Sequence, residues 1–523
     1  MKRGQSALLP AALAMFAGAA SLHAQARQPA TAAPVPPEVA AAANVITQPD
    51  ARARLEFISS DLMRGRDTPS PELNIVASYL VSNYKAMGFQ PGGEGGTFYQ
   101  WYPYGLRRLN TTAARLQAQA GGAPVTFAAG RDFWTAGGTA QDVTGSLVYV
   151  GRAPDALMTP GSLTGKIAVV AIPGGGLTRD WRLERNRIRN AARRAGASAV
   201  AFVLAPEWSA DSVAKYAATA ARPTRTLGEE PAYPQFYLSQ EAAGRLFRAA
   251  NLDLAQQWTA GAATTFRAVP LAGVTATGAL PLEQVDQARA PNVIAIWPGS
   301  DPVLKNEYVV LSAHMDHVGV GEPVNGDSIY NGADDDGSGT TGILEVARAF
   351  QSMGIRPRRS IVILHVSGEE KGLLGSEWFS DHPTLPLNQI VADINIDMIG
   401  RNNPDSVVVI GKTYSSLGAT VNAVQRAHSD LHLTLADDIW PQERFFFRSD
   451  HFNFARKEVP AIFFFSGVHP DYHRPSDEVA KIDFDKLTRI ARMAFFTAWD
   501  VANAPQRPQW DPRGLAEVRA MTR

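Results

Sequence analysis

Between residues 292 and 503 the chain alternates short apolar runs with longer segments whose apolar residues recur at helical spacing. Strand-type runs lie at 293–297, 308–313, 360–366, 390–398, 406–410 and 461–465, and helical patterns at 342–353, 373–380, 416–427 and 484–503. A helix between two strands carries the chain back along the sheet, so the strands it joins pair in parallel. The alternation therefore predicts an α/β fold: a mixed, largely parallel sheet sandwiched by helices. In such a sheet ligands gather at the carboxyl ends of the strands.

The residues just beyond each apolar run are therefore the ones placed to bind. Leu311-Ser312-Ala313 continues into His314-Met315-Asp316-His317, Leu364-His365-Val366 into Ser367-Gly368-Glu369-Glu370, and Ile394-Asn395-Ile396 into Asp397. Between the first two lies Asn331-Gly332-Ala333-Asp334-Asp335-Asp336-Gly337, an acidic glycine turn ahead of a helix; later comes Tyr472-His473-Arg474-Pro475-Ser476-Asp477. One acidic turn alone is usually a solvated helix cap, and one Glu-Glu pair is usually surface. Several such groups at successive strand ends point instead to a convergent site.

The chain has no cysteine, which excludes thiol nucleophiles, iron–sulfur clusters, thiolate zinc sites and disulfides. Histidines and carboxylates without thiolates suit zinc or another borderline divalent ion, and the surplus of carboxylates suits two ions sharing one of them. The sequence contains neither a G-x-S-x-G elbow nor an H-E-x-x-H helix. Gly337-Ser338-Gly339 lacks the Lys of a phosphate-binding loop and is read as the start of the helix behind Asp335.

Taken together, His314-x-Asp316, Gly332-Ala333-Asp334-Asp335-x-Gly337-Ser338-Gly339, Glu369-Glu370-x-Gly372-Leu373-x-Gly375-Ser376, Asp397-Met398 and Tyr472-His473 resemble metallopeptidase family 28. That family includes di-zinc aminopeptidases and glutamate carboxypeptidase-like enzymes. The resemblance covers the residues after Asn292 together with the opening helices, and implies a zinc-exopeptidase type of fold. It also implies two zinc ions, with His314 and Asp397 on one, Glu370 and His473 on the other, and Asp335 bridging both. By residue type each of Asp334, Asp335 and Asp336 fits the bridging position; the resemblance selects the second acid after Ala333. It further implies Glu369 as general base toward a water shared by the ions. Asp316 would orient His314, and Tyr472 would donate to the tetrahedral oxyanion. Arg448-Ser449-Asp450-His451 resembles a site-lining segment, with shaping the pocket and packing beneath it both open for Asp450 and His451. His317, His365, His382 and His469 are read as structural or surface residues, because the ligand set is complete without them.

The implied activity is that of a zinc-dependent exopeptidase on peptide substrates, an aminopeptidase first. A carboxypeptidase of the glutamate carboxypeptidase type is the alternative that charge decides: it needs Arg or Lys for a terminal carboxylate, where an aminopeptidase needs carboxylates for an ammonium. A glutaminyl cyclase and a non-catalytic receptor-like binding protein are two further alternatives. The intact ligand positions and Glu369 argue against both.

The rest of the chain sets the context. Lys2 and Arg3, an Ala-rich apolar run over 7–20 and Ala24-Gln25-Ala26 read as a signal peptide at 1–26, hence an exported, periplasmic or secreted protein with no membrane attachment after cleavage. Residues 27–42 read as an Ala/Pro linker. Residues 43–110 open the peptidase domain with helical patterns at 52–63 and 73–87, closed by Gly88 as a C-terminal cap, and an aromatic strand at 98–104. Residues 111–272 carry short β-like runs at 147–150, 167–172 and 199–204 and one helical pattern at 185–195. They contain no histidine, and resemble the protease-associated domain inserted in several peptidase families. They are expected to form a β-rich insert, followed by the main zinc peptidase domain at 273–503 and a tail at 504–523. Fifty basic and fifty acidic residues leave no net charge, so nothing favours a nucleic-acid partner.

Overall fold

The computed structural model describes residues 36–522 apart from 123, 136–141, 153, 173–178 and 229–232. The expected signal peptide lies outside the described residues. Among those described, no helix is long and apolar enough to cross a membrane. The linker expectation is corrected at its end: Pro37–Ala43 is a helix that buries Val39, Ala42 and Ala43 and packs against the helices Gly339–Ser352 and Phe484–Asn503. Alanine favours helix whenever a partner surface is at hand, and composition does not reveal the partner.

One ten-stranded sheet organises the part of the chain that carries the strand-end histidines and carboxylates. Its centre is four adjacent parallel strands, in the order Ala461–Phe465, Ile390–Ile396, Tyr308–His314, Ser360–Val366. These strands are buried along nearly their whole length, which is why they read as continuous apolar runs. Val310, Val362 and Leu364 pack with Phe379 and Phe454 from the short helices Leu374–Asp381 and His451–Ala455. The long helices Gly339–Ser352 and Phe484–Asn503 lie against the same strands, with Phe350 and Phe495 rings 4.8 Å apart between them. The helix Pro71–Ala86 ends as expected, with Gly88 left-handed at φ 76°.

The sheet is less parallel than expected. Leu282–Trp297 runs antiparallel to Ser360–Val366 on one side and to Tyr99–Leu109 on the other, and Ser406–Ile410 runs antiparallel to Ala461–Phe465. Only the last part of Leu282–Trp297 is continuously buried, so the apolar pattern marked 293–297 and left its polar first half unread.

The segment expected to be a β-rich insert forms a second, eight-stranded sheet between Arg115 and Ala279. It is more helical than the reading implied. Asp142–Tyr149, Lys166–Ala171, Ala199–Val203 and Gln235–Leu238 are parallel neighbours, and helices Arg179–Arg194, Ala210–Ala220, Gln240–Ala249 and Leu254–Ala260 accompany them. Its boundary is also not closed, because Thr224–Thr226 pairs with Tyr99–Leu109 of the large sheet. The C-terminal tail is corrected too: Pro512–Thr522 is a helix, and its Val518 is buried with Phe445 and Phe446.

Near the end of Phe484–Asn503, burial pushes Asp500 from an ordinary 3.8 up to about 6. The folded protein thus holds this proton more tightly than the unfolded chain, a cost absent below about pH 3.8 and complete above about pH 6. Asp500→Asn should raise unfolding free energy by about 1–2 kcal/mol at pH 7–8. The gain should disappear near pH 4. Urea denaturation at the two pH values checks this, and an equal gain at both would contradict it.

Candidate metal centre and active-site cleft

Because the central strands are parallel, their carboxyl ends lie along one edge of the sheet. His314 closes Tyr308–His314, Glu369 and Glu370 follow Ser360–Val366, Asp397 follows Ile390–Ile396, and His473 lies in the loop beyond Ala461–Phe465. Asp335 comes from the turn before Gly339–Ser352. These residues meet. His314 Nε2 is 3.2 Å from Asp335 Oδ1 and 3.6 Å from Asp397 Oδ1. On the other side, His473 Nε2 is 3.1 Å from both Asp335 Oδ2 and Glu370 Oε2. Asp335 thus stands between two sets of donors.

The three consecutive acids divide three tasks. Asp334 Oδ1 accepts from Gly400 N, and its Oδ2 lies 3.3 Å from His469 Nε2. Asp336 accepts from the amides of His314, Gly339 and Met398, tying the turn to two strand ends. Only Asp335 faces the other donors. Gly332 starts this turn at φ 57°, and a Cβ there would lie 2.4 Å from the His317 ring and 2.3 Å from Asp335 O. A side chain at that position is therefore excluded both by space and by backbone conformation.

Behind Asp397 runs a chain of buried hydroxyls and amides. Ser449 Oγ donates to Asp397 Oδ2 at 2.9 Å, Asn395 Nδ2 donates to Ser449, and Ser312 Oγ donates to Asn395 Oδ1 and Asp393. Each partner restricts the rotation of the next, so Asp397 is presented in one orientation.

The site carries a surplus of negative charge. Burial, and then the Glu370, Asp450 and Asp397 carboxylates, hold Glu369 well above the ordinary glutamate range, against the pull of His314. Burial disfavours the His314 imidazolium, yet the carboxylates of Asp397, Asp316 and Asp335 outweigh it and raise its pKa. At His473 the same contest with Asp335 and Glu370 ends at about 10. His314 Nε2, His473 Nε2, Asp335 Oδ2, Glu370 Oε1 and Asp397 Oδ1 are all buried without a hydrogen-bond partner. Buried polar atoms are rarely left this way. Imidazole nitrogens and carboxylate oxygens are the donors zinc takes, so these residues fit that ion.

The cleft over the donors combines Asp335, Glu369 and Asp397 with an apolar wall of Met398, Phe445, Phe463, Phe465 and Val468, beside Tyr472 and Arg448. The Tyr472 ring stacks on His473 with centroids 3.8 Å apart. Burial and the neighbouring carboxylates of Asp335 and Glu370 raise its hydroxyl pKa, so it stays a protonated donor. Arg448 pairs with Glu443 at 3.1 Å and lies over the Phe445 ring. Arg474 is exposed.

Two expectations change, and two residues left open are placed. His317, read as structural, is fully buried with Nδ1 2.8 Å from Glu370 Oε1 and 3.8 Å from Asp335 Oδ2; with those two carboxylates it forms a second possible metal-holding group beside His314, Asp335 and Asp397. Its signal was present, since it ends the same His-x-Asp-His run. The His314 Nδ1 partner at 3.1 Å is the backbone carbonyl of Asp316, with the carboxylate farther away at 3.6 Å. Asp450 and His451 are fully buried: Asp450 accepts from Ser376, and His451 packs against Phe446 and Phe463. Their neighbour Ser449 is the one that touches a donor. The other histidines read as structural or surface are placed accordingly, His365 buried on the Tyr84 hydroxyl at 2.6 Å and His382 exposed on Trp378.

The family model described as Peptidase family M28 matches residues 292–498. Among curated relatives, the chain is 29% identical over 196 residues to the leupeptin-inactivating enzyme 1 of Streptomyces exfoliatus, an alignment covering 36% of this chain and 38% of that protein. It is 27% identical over 232 residues to a probable leucine aminopeptidase of Arthroderma otae, covering 42% and 59%. The chain thus spans between 38% and 59% of the length of these relatives. Among solved structures, an aminopeptidase from Aneurinibacillus sp. strain AM-1 aligns over 91% of this chain and 98% of its own, with a TM-score of 0.48 and 20% identity.

Proposed function

Residues 292–498 form a peptidase family M28 domain, and from that membership and the donor cluster we propose that the chain is an exported, two-zinc aminopeptidase. The observation that carries this reading is Asp335, whose Oδ1 lies 3.2 Å from His314 Nε2 and whose Oδ2 lies 3.1 Å from His473 Nε2. His314 and Asp397 would hold one ion, Glu370 and His473 the other, and Asp335 both, with His317 a further donor on the Glu370 side. Zinc held by these residues would supply a water of lowered pKa and polarise the scissile carbonyl.

The chain's own groups do the rest. Glu369 lines the cleft, takes the proton of the attacking water and returns it to the departing amine. Tyr472 donates its hydroxyl to the oxyanion of the tetrahedral intermediate. Asp316 keeps His314 in the tautomer that leaves Nε2 free, through its carbonyl on Nδ1.

Charge favours the amino-terminal end of a peptide. Carboxylates surround the reacting position, whereas the cleft's Arg448 is engaged by Glu443. Two bound zinc ions would offset the charge of Asp335, Glu370 and Asp397, which leaves Glu369 as the cleft carboxylate to meet a substrate ammonium, while Arg448 is already paired rather than turned to a terminal carboxylate. The wall formed by Met398, Phe445, Phe463, Phe465 and Val468 suits a large apolar N-terminal side chain. Residues 111–272 are read as a protease-associated-like insert that limits entry to short peptides.

A panel of free, N-acetylated and C-amidated short peptides, with and without chelator and added zinc, tests the reading. Free and C-amidated peptides should be cleaved, N-acetylated ones should not, and chelator should abolish the activity until zinc is restored. N-terminal Leu or Phe should exceed Asp or Lys in kcat/KM by about tenfold or more. A requirement for a free C-terminus would instead move the protein to the carboxypeptidase branch.

A further inference from the structure

Three consecutive residues far upstream of the family domain touch every loop that carries the bridging acid, the His314 segment and the two glutamates. Arg66 is fully buried. Its guanidinium donates to the carbonyls of Asn331, of Gly332 at 2.7 Å and of Asp335 at 3.3 Å, all in the turn that presents the bridging carboxylate. Asp67 lies 2.6 Å from Lys371 Nζ, the residue after Glu369-Glu370. Thr68 Oγ1 donates to Asp316 Oδ2 at 2.8 Å and accepts from Gly368 N at 3.0 Å, joining the loop after His314 to the loop before Glu369. The backbone takes part as well: His317 N donates to Arg66 O, and Asp67 and His317 form a parallel bridge. The fit is close enough that a Cβ on Gly65 would lie 2.4 Å from Tyr330 O.

The Asp335 turn is also held from its other side, where the buried Asp477 carboxylate accepts from the amides of Asp334 at 3.0 Å and Asp335 at 3.1 Å. A cation thus holds the turn's carbonyls and an anion its amides. Arg suits the first task because its planar fork reaches several acceptors in fixed directions, which a lysine ammonium cannot do. The carboxylate donors repel one another, and every donor but His314 comes from a loop or turn, so their spacing has to be imposed by partners outside the set. Outer partners of this kind typically govern metal affinity by about 10- to 100-fold.

We propose that Arg66, Asp67 and Thr68 are positioning residues, a clamp that sets the spacing of the metal donors and the aim of Glu369 from outside the matched residues 292–498. The proposal rests on the two-zinc reading. The clamp touches neither the reacting atoms nor the donor atoms; it fixes the loops that present them.

The test uses the full chain and reads zinc affinity by chelator competition, the absorption spectrum of the cobalt(II)-substituted protein, and kcat and KM. Thr68→Val keeps shape and volume but removes the hydroxyl that joins Asp316 to Gly368. It should fold with a melting temperature close to the parent's, bind zinc about 10- to 100-fold more weakly, alter the cobalt spectrum, and lower kcat far more than it changes KM. Thr68→Ser restores the hydroxyl and should recover the parent's values. Arg66→Lys should move affinity and spectrum in the same direction as Thr68→Val. Parent-like zinc affinity, cobalt spectrum and kcat in folded Thr68→Val would overturn the clamp. A parent protein that binds no zinc in the same competition would instead overturn the two-zinc reading beneath it.

Discussion

Glu369→Gln should reduce kcat by about a thousandfold while leaving the bound zinc and KM close to those of the parent. The amide has nearly the volume of the carboxylate and can still hydrogen-bond, but it cannot accept the proton of the attacking water. Glu370, its neighbour in sequence, faces His317 and His473, so the substitution leaves the donor set complete. The pH profile adds a second readout. Burial, then Glu370, Asp450 and Asp397, raise the Glu369 pKa, and His314 opposes them. A general base works only when ionised, so kcat/KM of the parent should fall as the pH drops through that raised value, on an acid limb above the ordinary glutamate pKa of about 4.3. The residual activity of the Gln variant should lack that limb. Parent-like turnover in Glu369→Gln would remove Glu369 from the mechanism, and loss of zinc would make it a donor instead.

Asp335→Asn should weaken both metal positions at once, whereas Asp397→Asn and Glu370→Gln should each weaken one. The reason is geometric: the two oxygens of Asp335 face different imidazoles, His314 and His473. Replacing one of them by an amide nitrogen removes a donor and the negative charge that both positions share. A fall in affinity of more than about 100-fold at each position is expected, beyond what loss of an outer partner causes. Zinc per chain, measured by atomic emission after dialysis, should drop below one in Asp335→Asn. The rise in melting temperature that saturating zinc gives the parent should be largely lost, since that rise is the binding free energy expressed as stability. Full loading of one position in Asp335→Asn would show that this carboxylate does not bridge.

The helix and strand pattern was legible wherever an element is buried all round or has one clean apolar stripe. The strands Ser360–Val366, Ser406–Ile410 and Ala461–Phe465 and the helix Phe484–Asn503 have the bounds their apolar residues mark. Elements without that contrast were missed: the hairpin Gly319–Val324 and Asp327–Tyr330, which is largely exposed, and the polar half of Leu282–Trp297. The amphipathic Gln240–Ala249 was missed for another reason, since it stands in a segment read as β-rich. For the site, strand-end logic selected residues that converge, and residue type selected the ion they suit. It could not rank His317 against His473, because both are histidines in loops after strands and only their distances to Glu370 bear on the choice.

What the residues alone determined is the chemistry available: no thiols, histidines and carboxylates at the ends of apolar runs, and one acidic turn before a helix. Those are local properties, set by side-chain type and by short-range periodicity. Tertiary structure decided which of three adjacent acids faces the donors, that a carbonyl and not a carboxylate is the nearer partner of His314, and that Arg66 and Thr68 reach the centre at all. The second of these is set by how the chain turns between His314 and Asp316; the first and last depend on contacts between segments more than a hundred residues apart, such as Thr68 with Asp316 and Asp334 with Asp477. Such contacts leave no period in the sequence, because any buried polar residue with the right reach can make them once the sheet has brought the segments together.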